Sequence, residues 1–275
     1  MITIGITKMK ISVITVNFND KNGLEHTLSS SISLQVPQGY EKEIIVIDGG
    51  STDGSVDILN KYSNAITYWV SEKDRGIFHA MNKGVAKASG DYCIFMNSGD
   101  SFASADVLEN IFGNLSLTSL PDVITGATYY CNNEQNTENL EYPPQKISLG
   151  YFFFGNNSLQ HQSSFIKTER LREFPYDETL RITSDFKFWI QVLVLNNGYY
   201  MPSDVPVAKF DTSGISSRPE IQEIIRNEIK TTYTNLKLSK IISDYELLRN
   251  LKLRLFKRFL QKALKETFHV SINFQ

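Results

Sequence analysis

Short, mainly apolar runs mark the first hundred residues. Ile11–Asn17, Glu43–Ile47, Ile66–Val70 and Tyr92–Met96 are dominated by β-branched and aromatic residues, the composition of buried strands. Between them lie stretches with turn and cap chemistry followed by helical spacing. Asn19–Gly23 leads into a helix over Leu24–Leu34, a second helix covers Val56–Tyr62, and a third runs from Gly76 to Lys87 with Ile77, Met81 and Val85 as its core stripe. Strands alternating with helices of this length predict right-handed βαβ units and a parallel sheet. Ligands of such sheets collect at the carboxyl ends of the strands.

After Asp100 the repetition stops. The sequence predicts a helix at Ala105–Phe112, a strand at Asp122–Thr125 and a polar surface loop over Cys131–Glu141 ahead of Pro143-Pro144. Ser163–Lys167 reads as a strand and Asp185–Asn196 as a helix, and Tyr199–Phe210 reads as a strand pair broken by Pro202 and Pro206. From Pro219 the chain is helical and basic, with Arg249, Lys252, Arg254, Lys257, Arg258, Lys262 and Lys265 flanking Leu248, Leu251, Leu255, Phe259 and Ala263. The expected organisation is an extension over residues 1–8, one α/β domain over 9–215 and a basic amphipathic helical region over 216–275.

Composition narrows the setting. With 275 residues the chain can bury a sizeable core, and its 28 basic and 30 acidic residues leave a net charge of −2 that points to no nucleic-acid partner. Two cysteines, Cys93 and Cys131, form neither a disulfide framework nor a metal spacing, which suits a reducing cytoplasm. No apolar run approaches the roughly 20 residues of a spanning helix. The basic C-terminal helices suit peripheral contact with anionic lipid, packing on the main domain, or a homodimer.

The chemistry gathers where strands end. The run Glu43–Ile47 stops at Asp48-Gly-Gly-Ser-Thr-Asp53-Gly-Ser55, a tight acidic turn whose Ser and Thr also offer helix caps. Phe95-Met96 likewise gives way to Asn97-Ser98-Gly99-Asp100, so two acidic turns face one crevice. A diphosphate there needs a divalent cation, and Mg²⁺ or Mn²⁺ is typically held by one or two carboxylates plus phosphate oxygens. Taken alone, Asp48 also fits a capped turn, Asp100 a turn-forming Asx residue, and Asp185 an N-terminal helix residue.

Together these pieces resemble the family 2 inverting glycosyltransferases of GT-A fold. The resemblance spans residues 10–215 through Val13–Asn19, Ile47–Ser55, Asp74–Gly84, Gly90-Asp91 and Asn97–Asp100. It implies a nucleotide-binding α/β fold with a mostly parallel sheet flanked by helices and a helical C-terminal extension. It further implies a nucleotide sugar donor, a UDP-sugar, and a saccharide or lipid-linked saccharide acceptor in polysaccharide or cell-surface glycan assembly. Asp48 inherits the nucleobase contact, with Val16, Asn17 and Gly49 beside it. Asn97, Ser98 and Asp100 inherit ribose, diphosphate and metal, with Asp100 as the sole protein carboxylate on Mn²⁺ or Mg²⁺. Asp74 and Arg75 lie at the nucleotide edge, and His161, in a His-Gln pair, lies beside acceptor or diphosphate. Asp185, opening a helix in the second half, matches the family's catalytic base.

Two departures thin the acidic set. Gly49 stands where a second aspartate is common, and Asn97 where the metal motif usually begins with an acid. A catalytically silent sugar-nucleotide-binding protein is therefore one rival reading. A nucleotidyltransferase is another, although no glycine-rich basic phosphate loop follows Ile11–Asn17.

Overall fold

A computed structural model describes residues 8–113, 115, 119–132, 137–155, 158–212, 214, 219–240 and 243. Its first half follows from the apolar runs. Strands β1 (Met9–Asn17), β2 (Tyr40–Asp48), β3 (Tyr68–Ser71) and β4 (Tyr92–Phe95) pair in parallel in the order β3-β2-β1-β4. Helices α1 (Lys21–Ser33), α2 (Ser55–Lys61) and α3 (Ile77–Lys87) connect them. Ile11, Val13, Ile44 and Val46 pack with Leu24, Leu28 and Leu59 on one face, while α3 covers the other.

That face of α3 differs from the expected stripe. Phe78, Met81, Gly84 and Val85 turn inward and Ile77 is 42% exposed. Gly84 sits so close to Ile14 that an added Cβ would lie 2.4 Å from Ile14 Cγ2; this contact fixes the helix rotation and leaves Ile77 at the rim.

Strands in mixed, mostly antiparallel pairing extend the same sheet on the β4 side. The nine strands among the described residues follow the order β3-β2-β1-β4-β8-β6-β9-β5, with β7 paired to β6. They include β5 (Ser101–Phe102), β6 (Val123–Asn132), β7 (Thr137–Glu141), β8 (Ser164–Lys167) and β9 (Tyr200–Asp211). The sheet curls because β6 and β9 pair in parallel through register shifts between Thr125 and Thr128.

Two expectations are corrected here. The described parts of the expected loop over Cys131–Glu141 are strand, since Cys131 and Asn132 end β6 and Thr137–Glu141 form β7, with Thr128–Asn132 paired to Thr137–Glu141. Tyr199–Phe210 does not break at its prolines. One strand, β9, continues through Pro202 and Pro206, which lie opposite Thr125 and Ala127 where the register is already irregular and the missing N–H groups cost least.

The remaining elements are α4 (Val107–Phe112), α5 (Leu149–Gly155), α6 (Thr168–Glu173), α7 (Ser184–Trp189) continued by a π-helical turn Ile190–Leu195, and α8 (Gln222–Asn235). The chain divides into two compact units, residues 1–229 and 230–275. The basic stretch from Leu248 to Lys265 lies outside the described residues, as do residues 1–7 and most of 213–218. Among the described residues no helix is long and apolar enough to cross a membrane.

Candidate active site

The carboxyl ends of β1, β2 and β4 are tied into one polar network. Asp48 ends β2 with 0% exposure. Its Oδ1 accepts from Asn17 Nδ2 and Ser51 Oγ, both at 2.6 Å. Its Oδ2 accepts from Ser71 Oγ (2.5 Å), Ser51 N (2.9 Å) and Gly50 N (3.2 Å). Burial would raise this carboxyl, but the bonds from Ser51, Ser71 and Asn17 outweigh it and hold the group below the ordinary carboxylate value. A carboxylate with five donors has little capacity for another partner. Asp48 thus organises the turn at the end of β2.

Asn17 relays the network onward, accepting from Ser98 Oγ at 2.8 Å. The Val16 carbonyl accepts from Ser98 N at 3.1 Å, and the Asn17 carbonyl from Gly49 N at 2.8 Å. Gly50 adopts φ +81°, which glycine takes without strain. Gly49 leaves room for an aromatic ring, because a Cβ there would come 3.1 Å from Phe18 Cδ2. Phe18 is 67% exposed at this edge. The sequence reading passed over it; an aromatic in the turn directly after β1 was the available signal.

Asp74 and Arg75 join a separate cluster beyond β3. Asp74 Oδ1 pairs with His79 Nδ1 and Lys83 Nζ, both at 2.8 Å, and Asp74 Oδ2 is buried without a hydrogen bond among the described residues. Arg75 is solvent-facing and pairs with Glu178 at 2.5 Å.

On the β4 side the turn after Met96 meets the His161–Gln162 segment. Asn97 Nδ2 lies 3.0 Å from His161 Nε2. The two side chains thus meet in one hydrogen bond. Nδ1 is 3.5 Å from Asp185 Oδ2, inside ion-pair range although without a hydrogen bond. Asp185 also accepts from Phe186 N at 2.8 Å and from Ser158 Oγ at 3.3 Å. Trp189 of α7 fixes this segment by donating its indole N–H to the Leu159 carbonyl at 3.1 Å, as a buried indole must find an acceptor.

Asp100 is nearly buried and bonded through both oxygens, to Asp211 N at 3.0 Å and Gln162 Nε2 at 3.1 Å. Burial raises its carboxyl to about 6; the bonds from Asp211 N and Gln162 and the His161 ring pull the other way, and the Asp211 carboxylate adds to the rise. Gly99 at φ +96° lets the turn close around it. Among the described residues no group of three or more His, Cys, Asp or Glu side chains is arranged to hold a metal ion. The local donor set nevertheless fits a hard divalent cation. Asp100 is an oxygen ligand without a cationic side chain bonded to it, and Asn97 Oδ1 and Gln162 Oε1 are buried acceptors with no hydrogen bond among the described residues.

The site residues read from the sequence therefore fall into three groups. Val16, Asn17, Asp48, Gly49 and Ser98 share one network, Asn97, Asp100, His161 and Asp185 meet around the His161–Gln162 segment, and Asp74 and Arg75 stand apart. Gln162, Ser158, Ser51 and Ser71 were not anticipated as partners, since residue type alone does not show which serine or glutamine faces a buried carboxylate.

Comparison with known proteins bears on the family and the fold. The profile described as "Glycosyl transferase family 2" matches residues 12–174. An uncharacterized glycosyltransferase of Mycobacterium tuberculosis is 32% identical over 211 residues, covering 76% of this chain and 78% of the relative. Among solved structures, S. aureus TarS 1-349 in complex with UDP-GlcNAc superposes with a TM-score of 0.60 at 20% identity, over 74% of this chain and 58% of that one. The mannosyltransferase PcManGT from Pyrobaculum calidifontis, in complex with GDP-Man and Mn²⁺, superposes at 0.55 and 14% identity, over 95% and 88%. These likenesses show the shared GT-A fold. The matched part spans less than two thirds of the TarS chain.

Proposed function

Because this chain belongs to glycosyl transferase family 2, we propose that it is an inverting, metal-assisted transferase that moves a sugar from a UDP-sugar to a saccharide hydroxyl, with Asp185 as the base. The observation that carries the reading is the line Asn97–His161–Asp185, which joins the end of β4 to the opening of α7. A donor diphosphate at the β4 turn would sit on one side of this line and an acceptor hydroxyl on the other.

In the proposed step the acceptor oxygen bonds to the anomeric carbon from the face opposite the diphosphate. The bond from that carbon to the diphosphate oxygen breaks, and the hydroxyl proton passes to Asp185. His161 holds the Asp185 carboxylate through its Nδ1 side, and Ser158 holds it from the other. A bound Mg²⁺ or Mn²⁺ would supply electrostatic stabilisation of the leaving diphosphate; Asp100 would hold it, with the Asn97 and Gln162 amide oxygens as further candidates. Phe18 is proposed to stack on the base, with Asp48 shaping the turn beneath and Arg75 at the outer edge.

UDP is preferred as the nucleotide because TarS, a fold neighbour, holds UDP-GlcNAc. Calorimetric titration of UDP, GDP, CDP and dTDP, each with and without Mn²⁺, tests this on wild type, Phe18→Ala and Asp100→Ala. Metal-enhanced UDP binding that weakens in both variants supports the assignment; no binding of any nucleotide by folded wild type would overturn it. Binding with no transfer to any acceptor would favour the silent nucleotide-sugar binder.

A further inference from the structure

A cavity of about 420 Å³ reaches Ser158, the residue that donates to Asp185. It is walled by the β6–β7 pair, the Pro143-Pro144 turn and α5, and its floor reaches Ser158 and Leu159. Ser158 donates to Asp185 and the Leu159 carbonyl accepts from Trp189, so this wall is continuous with the proposed base.

The lining combines ring faces with few charges. Tyr130, Tyr142 and Tyr151 supply aromatic surface, and Glu141 supplies the one ionisable carboxylate among the lining residues. Burial raises the Tyr130 hydroxyl to about 12 and also raises that of Tyr151, with Glu141 adding to both, so both phenols stay neutral donors at working pH. Tyr142 stands at the rim with 61% exposure. The volume lies within the range of about 300–1,000 Å³ usual for small-molecule sites, which pair aromatic walls with a few placed polar groups.

We infer that this cavity is a saccharide site that seats the ring of the acceptor, with C–H faces on the tyrosines and hydroxyls on Glu141 and Ser158, so that one hydroxyl is presented to Asp185. Its role as an acceptor site rests on the transferase reading; the binding of a saccharide there does not. A neutral sugar suits it better than an anionic one, because Glu141 would repel a second carboxylate.

Saturation-transfer NMR with UDP and Mn²⁺ present tests this, using the methyl glycosides of glucose, galactose, mannose, N-acetylglucosamine and rhamnose as probes. At least one glycoside should receive saturation from wild type, with affinity reduced about five- to tenfold in Tyr142→Ala, the scale of one aromatic contact, and reduced also in Glu141→Gln. Both residues are exposed, so the variants should fold, and calorimetric UDP affinity should stay within twofold of wild type. Saturation of none of the probes, or saturation unchanged in both variants, overturns the cavity assignment. Loss of UDP binding in wild type would instead strike the transferase reading, and glycoside saturation that survives it leaves the site a saccharide site.

Discussion

Asp185 keeps its carboxylate between Ser158, which donates to it, and the His161 ring, whose Nδ1 lies 3.5 Å away, and no Lys or Arg pairs with it among the described residues. That arrangement orients a base without neutralising it. Asp185→Asn should therefore cost about 10²–10⁴-fold in transfer rate, the usual contribution of a positioned base, while UDP affinity by calorimetry changes less than twofold. Transfer within threefold of wild type would assign the base elsewhere. Asp100 makes a second prediction through its raised carboxyl. Its value is 3.8 ordinarily and about 6 in the fold. Between these values the native state holds more protons than the unfolded chain, so this residue's stabilising contribution is complete below about pH 4 and is lost as pH rises through 6. The change is about 3 kcal/mol for a group this buried. Urea midpoints of wild type and Asp100→Asn, compared from pH 4 to 7.5 without metal, should show the variant gaining on wild type by that order as pH rises. Parallel curves would mean that Asp100 is not buried as described. Added Mn²⁺ should narrow the gap at pH 7.5 by stabilising wild type alone.

At the scale of elements, the placement of α7 depends on a residue far along the chain. Glu228 of α8 accepts from the backbone N–H groups of Arg181 (2.6 Å), Ile182 (3.0 Å) and Thr183 (2.9 Å), and from Thr183 Oγ1 at 3.1 Å. It thereby holds the segment that launches α7 and Asp185. Glu228→Ala leaves four donors without that partner, and a loss of about 1–3 kcal/mol in stability is expected. If α8 positions the base, kcat should fall with donor KM unchanged; a fall in stability with kcat intact would make Glu228 purely structural. Sequence reading could not reach this contact, because a glutamate on an amphipathic helix looks the same whether it faces water or a chain 46 residues away. By contrast β1, β2 and β4 were legible, since strands buried on both faces, such as Ile11–Asn17 and Glu43–Asp48, are mainly apolar and β-branched rather than alternating. β7 was not. Its residues Thr137–Glu141 are almost all exposed, so no buried side-chain pattern marks the strand, and only pairing with β6 defines it. The same logic applies to Asp48, whose position at the end of β2 was readable while its inward direction was set by Ser51, Ser71 and Asn17 from three separate segments.

Across unit 1–229 the sheet divides the labour by strand direction. Its parallel part, β3-β2-β1-β4, gathers polar turns at one edge, as parallel strands joined by helices must. The antiparallel addition, β8-β6 with β7, brings the His161–Gln162 segment and the tyrosine-lined cavity up against that edge. Gln162 and His161 are the joint, one bonded to Asp100 and the other bonded to Asn97 and within ion-pair range of Asp185. A ligand that binds the parallel edge therefore acts on contacts shared by both parts, and its effect should appear in the stability of the whole fold. At a nucleotide concentration of 100 Kd, linkage adds about 2.7 kcal/mol to the folded state. For a unit of this size each kcal/mol moves the thermal midpoint by roughly 2–4 °C, so UDP with Mn²⁺ should raise Tm by about 5–10 °C. GDP, CDP and dTDP should raise it less at the same concentration, and Asp100→Ala should lose the increment that Mn²⁺ adds over UDP alone. Equal shifts with all four nucleotides would reject the uracil preference while keeping the diphosphate site. A shift that Mn²⁺ does not change in wild type would remove the cation from the scheme and leave Asp100 as a buried acid that closes the β4 turn.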